Sequence, residues 1–579
     1  MSKFGVLFDG RDIVLPGVYA RVRADSMTPE RGVPSRALAI IAPAQGGEVG
    51  GITRVTRFND IRKKLVGGTG AKLAEVAMGP SGEVPGATEI HFVRVNKAVP
   101  ASLDLGDVLL EAKVAGRVGN AVRVLRVPNG GAYDLQVEDT YRGLSETYKG
   151  LGPVLELTYN GANSSPTVAV TDNAGVKTLT LTGDATATFD SDQLDTLEKL
   201  ADAINNTSEW SARVVGPLVG VRTADLPAQT PTLAGTPPKT TLDLQGKAYE
   251  YALADSAIIQ ATAQAAAPSA TASWQFLSAG SEGPAPTVQD WLDALALIES
   301  VDVYGVVVGT GDLAVLAAAK QHVLDMSNTK ARKERQLYVG PNLQSSKTAL
   351  KDALTQMAQV LGSARVVVAG FEPELISATT GKVERQPAYY FAAMAAGMKA
   401  GNRPEMPLTN KSVSVYGGTK WTTVELEELL EAGVMPAHYD APNGRWVITH
   451  GITSYTRDAN VIYRKIAGMD IADWLNKKIR KRLGRFVGQV GDALTVKQIL
   501  NAVVGMLQEE VRGPNNPDGV LTPGVDPNTG QPTPAFRNVE AIMDGFDLVG
   551  IRYEAHPVGE IAYIMATANL TPVKIVASA

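Results

Sequence analysis

VDVYGVVVGTGDLAVLAAAKQHVLDM, residues 301–326, decides the fold class. Its first eight residues, Val301–Val308, are almost continuously apolar, the pattern of a strand covered on both faces. Gly309-Thr310-Gly311 ends the run, and Asp312–Met326 then places apolar residues at helical spacing. The alternation continues in both directions. Upstream, Thr287-Val288-Gln289-Asp290 opens a helix in capping-box fashion, ending near Ser300. Downstream come a strand at Gln336–Val339, a helix at Ser346–Leu361, a strand at Arg365–Ala369 and a helix at Tyr389–Ala400. In the first of these helices Leu350, Leu354, Met357 and Leu361 share one face, and Gly362 closes it. Such alternation predicts an α/β core, a mostly parallel sheet covered by helices.

The neighbouring segments extend or interrupt this core. Residues 36–98 read as more of it: a buried strand at Ala37–Ala42, a short helix at Phe58–Leu65 and an alternating strand at Glu89–Val95. Residues 103–275 change character. Strand-like runs at Ala121–Val127, Leu155–Tyr159, Thr167–Val170 and Thr178–Leu181 are separated by Gly, Asn and Asp turns. One helix, Gln193–Asn205, is expected there with Asp190 or Ser191 as its cap. The stretches 227–240 and 261–273 read as loops, so the whole block reads as a β-rich insertion into an α/β domain. Residues 456–579 form a last unit, with helices from about Ile471 to Val487 and over Thr495–Glu510. A Pro-, Gly- and Asn-rich loop at 512–535 follows, then strands at Ala541–Phe546, Val549–Glu554 and Glu560–Ala568. Near the N terminus, Pro16-Gly17 precedes an isolated alternating strand, Val18–Val22. It is either the first strand of the core sheet or an arm that pairs with another subunit.

Composition narrows the function. The 579 residues predict about three or four domains at roughly 150 residues each. With 44% apolar residues there is material for more than one core. A net charge of −5 on a chain of this length argues against a nucleic-acid binder. The absence of cysteine excludes disulfides, thiol nucleophiles and thiolate metal sites. The N terminus holds no apolar run of signal-peptide length, and no stretch approaches the ~18 continuous apolar residues of a membrane span. The expectation is a protein made and kept in a cytoplasm or released by lysis.

Local chemistry is sparse. Gly309–Ala314 follows a buried strand and opens a helix, as a dinucleotide fingerprint does. The next strand, however, ends in Gly340-Pro341-Asn342, with no acidic residue for a ribose. Val66–Leu73 hints at a phosphate-binding loop, but Ala71 separates glycine from lysine and Leu73 replaces the Ser/Thr that would meet magnesium. The five histidines, His91, His322, His438, His450 and His556, do not pair at metal-ligand spacing. No Gly-x-Ser-x-Gly elbow occurs. Glu427-Glu428 lies in a helical run, Thr423–Glu431, and reads as a solvated face. The most specific surface signal is the basic run Asp473–Arg485. On a helix, Ile471, Leu475, Ile479, Leu483 and Phe486 form a buried stripe, while Lys477, Lys481 and Arg485 step along another face. Such a face is either simply solvated or docks an acidic partner.

Several segments resemble contractile tail sheath proteins of phages and phage-derived particles. Pro16-Gly17-Val18-Tyr19 resembles that family's PGVY segment, and Arg36–Pro43 with Val55–Asp60 its first core strand and the step after it. Ala112–Val124 is similar to the family's "A-x-x-x-G-x-W-G-N-x-I-x-V" segment, with Val118 where Trp is usual. Leu277–Gly283 resembles its "L-x-G-G-x-D-G" entry to the second half of the core, with Ala279 and Glu282 departing from the pattern. Asp458–Trp474 and Ile561–Leu570 look like its C-terminal domain.

The resemblance implies a subtilisin-like core, here without a catalytic triad, so no enzyme and no cofactor or metal. It implies an N-terminal arm (1–30), a core in two parts (31–102 and 277–455) around a β-rich outer insertion (103–276), an α+β C-terminal domain (456–560) and a C-terminal strand or arm (561–579). Subunits would form a helical array of stacked hexameric rings around an inner tube and contract to drive that tube through a cell envelope. Pro16, Gly17, Val18, Tyr19, Arg21, Ile561 and Tyr563 would belong to strand-donating arms, and Lys477, Lys478, Lys481 and Arg485 would face the tube. The implied partners are further copies of the chain, the tube protein, and baseplate and tail terminator proteins, with no nucleic acid and no direct membrane contact. The location would be a virion tail or phage-derived particle, assembled in the host bacterial cytoplasm. Two readings compete: an α/β nicotinamide-dependent oxidoreductase using Gly309–Ala314, and a self-assembling capsid or adhesin protein.

Overall fold

The computed structural model describes residues 6–8, 11–13, 36–271, 273–377, 380–525, 529–545 and 547–562. The chain forms two units, one of Arg36–Ile471 with Pro557–Ala579, the other of Met1–Ser35 with Ala472–His556.

The first unit is built on an eight-stranded sheet. Its spatial order is Arg445–Ile448, Val434–Asp440, Val366–Gly370, Gln336–Val339, Gly305–Val308, Leu38–Ala42, Ile90–Arg94, Ile52–Val55. The six inner strands are parallel and the outer strand at each edge is antiparallel. The expected parallel core is therefore present. The strand expected over Val301–Val308 is shortened to Gly305–Val308. The carbonyl of Val301 instead accepts from Arg335 at 2.9 Å.

Alternate residues of each strand face two helical layers. Leu38, Ile40, Phe92, Val307 and Val367 pack with helices Gly68–Met78 and Tyr389–Ala400. Ala39, Ile41, Val306, Leu337 and Val368 pack with Val288–Leu297, Leu313–Met326 and Lys347–Leu361. Helix Tyr389–Ala400 is buried on all sides, which its run of small residues permits. A Cβ at Gly397 would lie 2.0 Å from the Ala77 carbonyl oxygen, so this glycine sets how closely the two helices approach. The predicted stripe of Leu350, Leu354, Met357 and Leu361 is buried, each such side chain contributing about 1.5–3 kcal/mol. The capping box of Thr287 and Asp290 is formed, and Thr422 with Glu425 makes a second one.

The sheet's margins are both blunted. Ile52–Val55 is only four residues long and carries Arg54, whose carbonyl accepts from Lys64 at 2.7 Å. At the other margin residues 410–413 bond along Arg445–Ile448, with Val413 N–H donating to Trp446 O at 2.9 Å.

Residues 101–277 have an apolar core of their own. It holds four small antiparallel sheets and helix Leu197–Asn205, which packs on the sheet of Pro153–Tyr159 and Trp210–Val214, and a strand of this block, Val122–Asn129, also pairs with Gln275–Phe276 at its end. Its chain leaves and returns as two paired strands: Val99 exchanges two hydrogen bonds with Ser281, and Ser102 two with Ser278. Two expectations are corrected here. The helix begins at Leu197 with Thr196 as its cap, because Asp190 ends a strand and accepts from Thr178 Oγ1 at 2.7 Å. Residues 261–263 are not loop but close a strand, Ile259–Ala263, paired with Val108–Ala112.

In the second unit, helix Ala493–Glu509, capped by Asp492, packs on a long hairpin, Phe536–Asp544 with Leu548–Ala555. Val6–Phe8 and Arg11–Ile13 form a small antiparallel pair that composition alone had not indicated. The chain enters this unit within helix Ile466–Leu483, which starts five residues earlier than expected. Among the described residues, no helix is long and apolar enough to cross a membrane.

Candidate assembly elements and the joint of core and insertion

The two glycine turns that imitate nucleotide loops lie together, at the C-terminal ends of Leu38–Ala42 and Gly305–Val308, where the strand order reverses. That is where open α/β sheets bind ligands. Here the space is filled by the chain itself. A Cβ at Gly309 would stand 2.7 Å from Ala42 Cβ and 3.0 Å from Leu73 Cδ1, and one at Gly311 only 2.2 Å from Asn342 N. The helix N terminus after this turn is capped by Asp312, which accepts from Ala314 N–H at 2.8 Å, placing a carboxylate where a phosphate would sit. In the second loop Gly70 N–H donates to Pro43 O at 2.8 Å and Gly67 O accepts from Gln45 at 3.0 Å. Both sets of glycines serve close packing of chain on chain.

Two motifs that carried the resemblance, some 160 residues apart, meet at one joint. Asn120 Nδ2 donates to Gly280 O at 3.0 Å, and Gly280 N–H returns a bond to Asn120 Oδ1 at 2.9 Å. Glu282 accepts from Arg94 Nη2 at 2.7 Å, from Arg117 N–H at 3.1 Å and from Asn96 Nδ2 at 3.2 Å. Arg94, buried on the core strand Ile90–Arg94, also donates to Ala115 O at 2.8 Å. Glu282 thus ties the core sheet to both connections of the insertion. Gly116 at φ +120° leaves space that a Cβ would take from Glu282, at 2.7 Å. Ala279 occupies the left-handed region at φ +64°, at a position where the resembled pattern has glycine.

The basic run is helical through Leu483 and continues as a short turn, Gly484–Phe486. Ile471 and Leu475 are buried, whereas Ile479, Leu483 and Phe486 are half-buried, so the stripe loses depth toward its end. Lys478 is turned to Glu510, forming an ion pair beside the Trp474 ring, whose Nε1 donates to the same carboxylate at 3.1 Å. Lys477 is half-buried, while Lys481 and Arg485 are exposed. Arg482 pairs with Glu509.

Of the arm residues, Pro16, Gly17, Val18, Tyr19, Arg21 and Tyr563 lie outside the described residues. Ile561 is 83% exposed and stands outside any strand. His322 is packed against Arg335, its Nε2 3.1 Å from Nη1. Burial first, then the Arg335 charge, lowers its pKa to about 4. Glu428, on the face expected to be solvated, pairs with Lys351, and Glu425 with Lys347 at 2.8 Å. Among the described residues no cluster of three His, Cys, Asp or Glu side chains could hold a metal ion.

Comparison with known proteins agrees with the resemblance read from the motifs. No family model matches the chain. The tail sheath protein of Bacillus phage SP01 is 29% identical to it over 540 residues, 88% of this chain and 90% of the relative. The crystal structure of a sheath tail protein from Desulfitobacterium hafniense shares the fold, with a TM-score of 0.53 and 15% identity across 93% of this chain and 96% of that one. A sheath tail protein from Listeria innocua overlays with a TM-score of 0.49 and 14% identity, over 92% and 97% of the two chains. The chain is similar to a phage tail sheath protein along most of its length.

Proposed function

We infer that this chain is the structural subunit of a contractile tail sheath, borne by a phage virion or a phage-derived particle and assembled in the host cytoplasm. The observation that carries the reading is its similarity to a tail sheath protein over 88% of the chain. The joint at Glu282, built from the motifs that first carried the resemblance, supports it.

Copies stack as hexameric rings around an inner tube, bounded by baseplate and terminator proteins. The core is an α/β scaffold of the subtilisin-like arrangement and does no catalysis. Arms containing Pro16–Arg21 and Ile561–Tyr563 add strands to neighbouring subunits. The hairpin Phe536–Asp544 with Leu548–Ala555 suits such addition: among the described residues each of its strands is paired on one side only, and an isolated two-stranded sheet is marginally stable. Lys477, Lys481 and Arg485 face the tube. Each exposed pair contributes only ~0–1 kcal/mol, and repetition around the ring supplies the rest. Lys478 belongs to the support of this face through Glu510. Contraction is a repacking of subunits from a metastable extended array into one with more buried interface, so the work is stored in conformation.

Electron microscopy of the purified chain in negative stain tests the reading. Helical tubes or stacked rings are expected, and deletion of residues 1–22 should abolish them. A monomer indifferent to the deletion would overturn it. Lys481→Glu with Arg485→Glu should weaken co-assembly with the tube in a salt-dependent manner. Unchanged co-assembly at every salt concentration would remove the basic face from the proposal.

A further inference from the structure

The chain crosses the boundary of the Arg36–Ile471 unit at three places: before Arg36, after Ile471 and before Pro557. Within that unit, residues beside all three crossings are tied to one short stretch, Lys465–Asp470, at the start of helix Ile466–Leu483.

Asp470 is buried and takes Arg36 in a two-pronged pair, Nη1 to Oδ1 at 3.1 Å and Nη2 to Oδ2 at 3.0 Å. Lys399 Nζ lies 3.0 Å from Oδ2 and donates to the carbonyls of Pro404 at 2.8 Å and Met406 at 2.9 Å. The Arg36 guanidinium also donates to the Lys399 carbonyl and stacks 4.3 Å from the Tyr304 ring centre. At the other end of the stretch, Lys465 pairs with Glu560, just after the third crossing. Its ammonium also meets His450 Nε2, which must accept there and so carries its proton on Nδ1. That nitrogen lies 3.1 Å from Thr409 Oγ1. Thr409 donates to Glu560 Oε2 at 3.1 Å and accepts from Gly451 N–H at 3.1 Å. Burial first, and then the Lys465 charge, pushes the His450 pKa below the usual imidazole value, in keeping with the acceptor role.

We propose that Lys465–Asp470 is the common anchor of the three segments that leave the core, with a fixed half at Asp470 and a releasable half at Lys465. The two halves differ in depth. Asp470 and Lys399 are 3% and 1% exposed, so parting them strands a charge in the interior, whereas Glu560 and Lys465, at 10% and 18%, already reach solvent and are rehydrated at lower cost. A groove of 820 Å³, bordered by Ile452, Ile462, Gly468, Val558 and Ile561, runs beside the releasable half, and the polar ties of the returning segment Pro557–Ala562 to the anchor meet at Glu560, from Lys465 and Thr409. The purpose assigned to the anchor rests on the sheath reading: a core that moves while its tethers stay engaged needs fixed origins for the tethers, and one tether that can lengthen.

The absence of native cysteine allows a single spin label at Ala562→Cys on the full chain. An immobilised spectrum is expected in the otherwise unchanged chain, a mobile one with Lys465→Glu, and immobilisation again in the swap Lys465→Glu with Glu560→Lys. Glu560→Gln, which keeps shape and loses charge, should give a partial shift. Asp470→Asn should lower the melting temperature and leave the label immobilised. A label equally immobile in all the Lys465 and Glu560 variants overturns the latch, and release by Asp470→Asn overturns the division into two halves. Microscopy of the same variants distinguishes failure of the anchor from failure of the sheath assignment. If the unchanged chain forms no polymers while the spectra behave as stated, the sheath reading fails and the anchor stands. Polymers from Lys465→Glu identical to those of the unchanged chain would overturn the anchor's part in assembly.

Discussion

Ala279 is a residue whose conformation is at odds with its identity. At φ +64° an L-residue with a Cβ is strained by about 1–2 kcal/mol, and glycine is not. Ala279→Gly relieves that strain and adds some unfolded-state entropy, so a net gain of roughly 0.5–1 kcal/mol is expected, read as a higher midpoint in thermal or denaturant unfolding. The departure from the resembled motif was visible in the sequence, but the strain was not, because it depends on the pairing of Ser278 with Ser102. His322 gives a second prediction. Its folded-state pKa, about 4, lies below the unfolded value near 6.5, so the folded protein resists protonation. The stability this contributes is complete above pH 6.5 and is lost as pH falls toward 4. The loss is at most about 3 kcal/mol, and His322→Gln should flatten the acid dependence of the melting temperature. Nothing in the sequence marks this histidine, since Arg335 reaches it only through the turn after helix Leu313–Met326.

Among elements, the turn after Gly305–Val308 shows best how a pattern can be legible and its meaning ambiguous. Strand, glycines and helix were all readable, because buried parallel strands are apolar runs and Asp312 is a good cap. Whether the glycines admit a phosphate or a neighbouring strand depends on Ala42, Leu73 and Asn342, which are distant in sequence. Gly311→Ala should destabilise the core more than Gly309→Ala, since it meets backbone rather than side chains. A loss of about 1–3 kcal/mol is expected for Gly309→Ala, measured by unfolding with and without added nicotinamide dinucleotide, which should make no difference to the ranking. Helix Leu197–Asn205 was placed too early because Asp190, Ser191 and Thr196 are all competent caps, and only the strand pairing of Asp190 chooses among them. Strand Ile259–Ala263 was missed because its partner, Val108–Ala112, lies about 150 residues away. The anchor at Asp470 was equally hidden, its three charges coming from separate parts of the chain.

At the scale of the molecule, the paired strands at Val99–Ser281 and Ser102–Ser278 predict that the insertion is separable. Replacing residues 103–276 by an Asn-Gly turn joins two already adjacent strands, and the remaining core keeps both of its helical layers. The shortened chain should therefore still unfold cooperatively in calorimetry and, as a sheath subunit, still polymerise. Loss of all cooperative unfolding would show that the core depends on the insertion, through contacts such as those of Arg117 and Asn120 at the joint.

The blunted margins of the eight-stranded sheet bear on a hazard of abundance. Any chain synthesised in many copies meets partly folded siblings, and an open edge of a large apolar sheet is where such siblings would adhere. Four residues bearing Arg54 at one side, and a covering strip at 410–413 on the other, deny them that template. Protection against misassociation is thus written into the core itself, at both margins of its sheet.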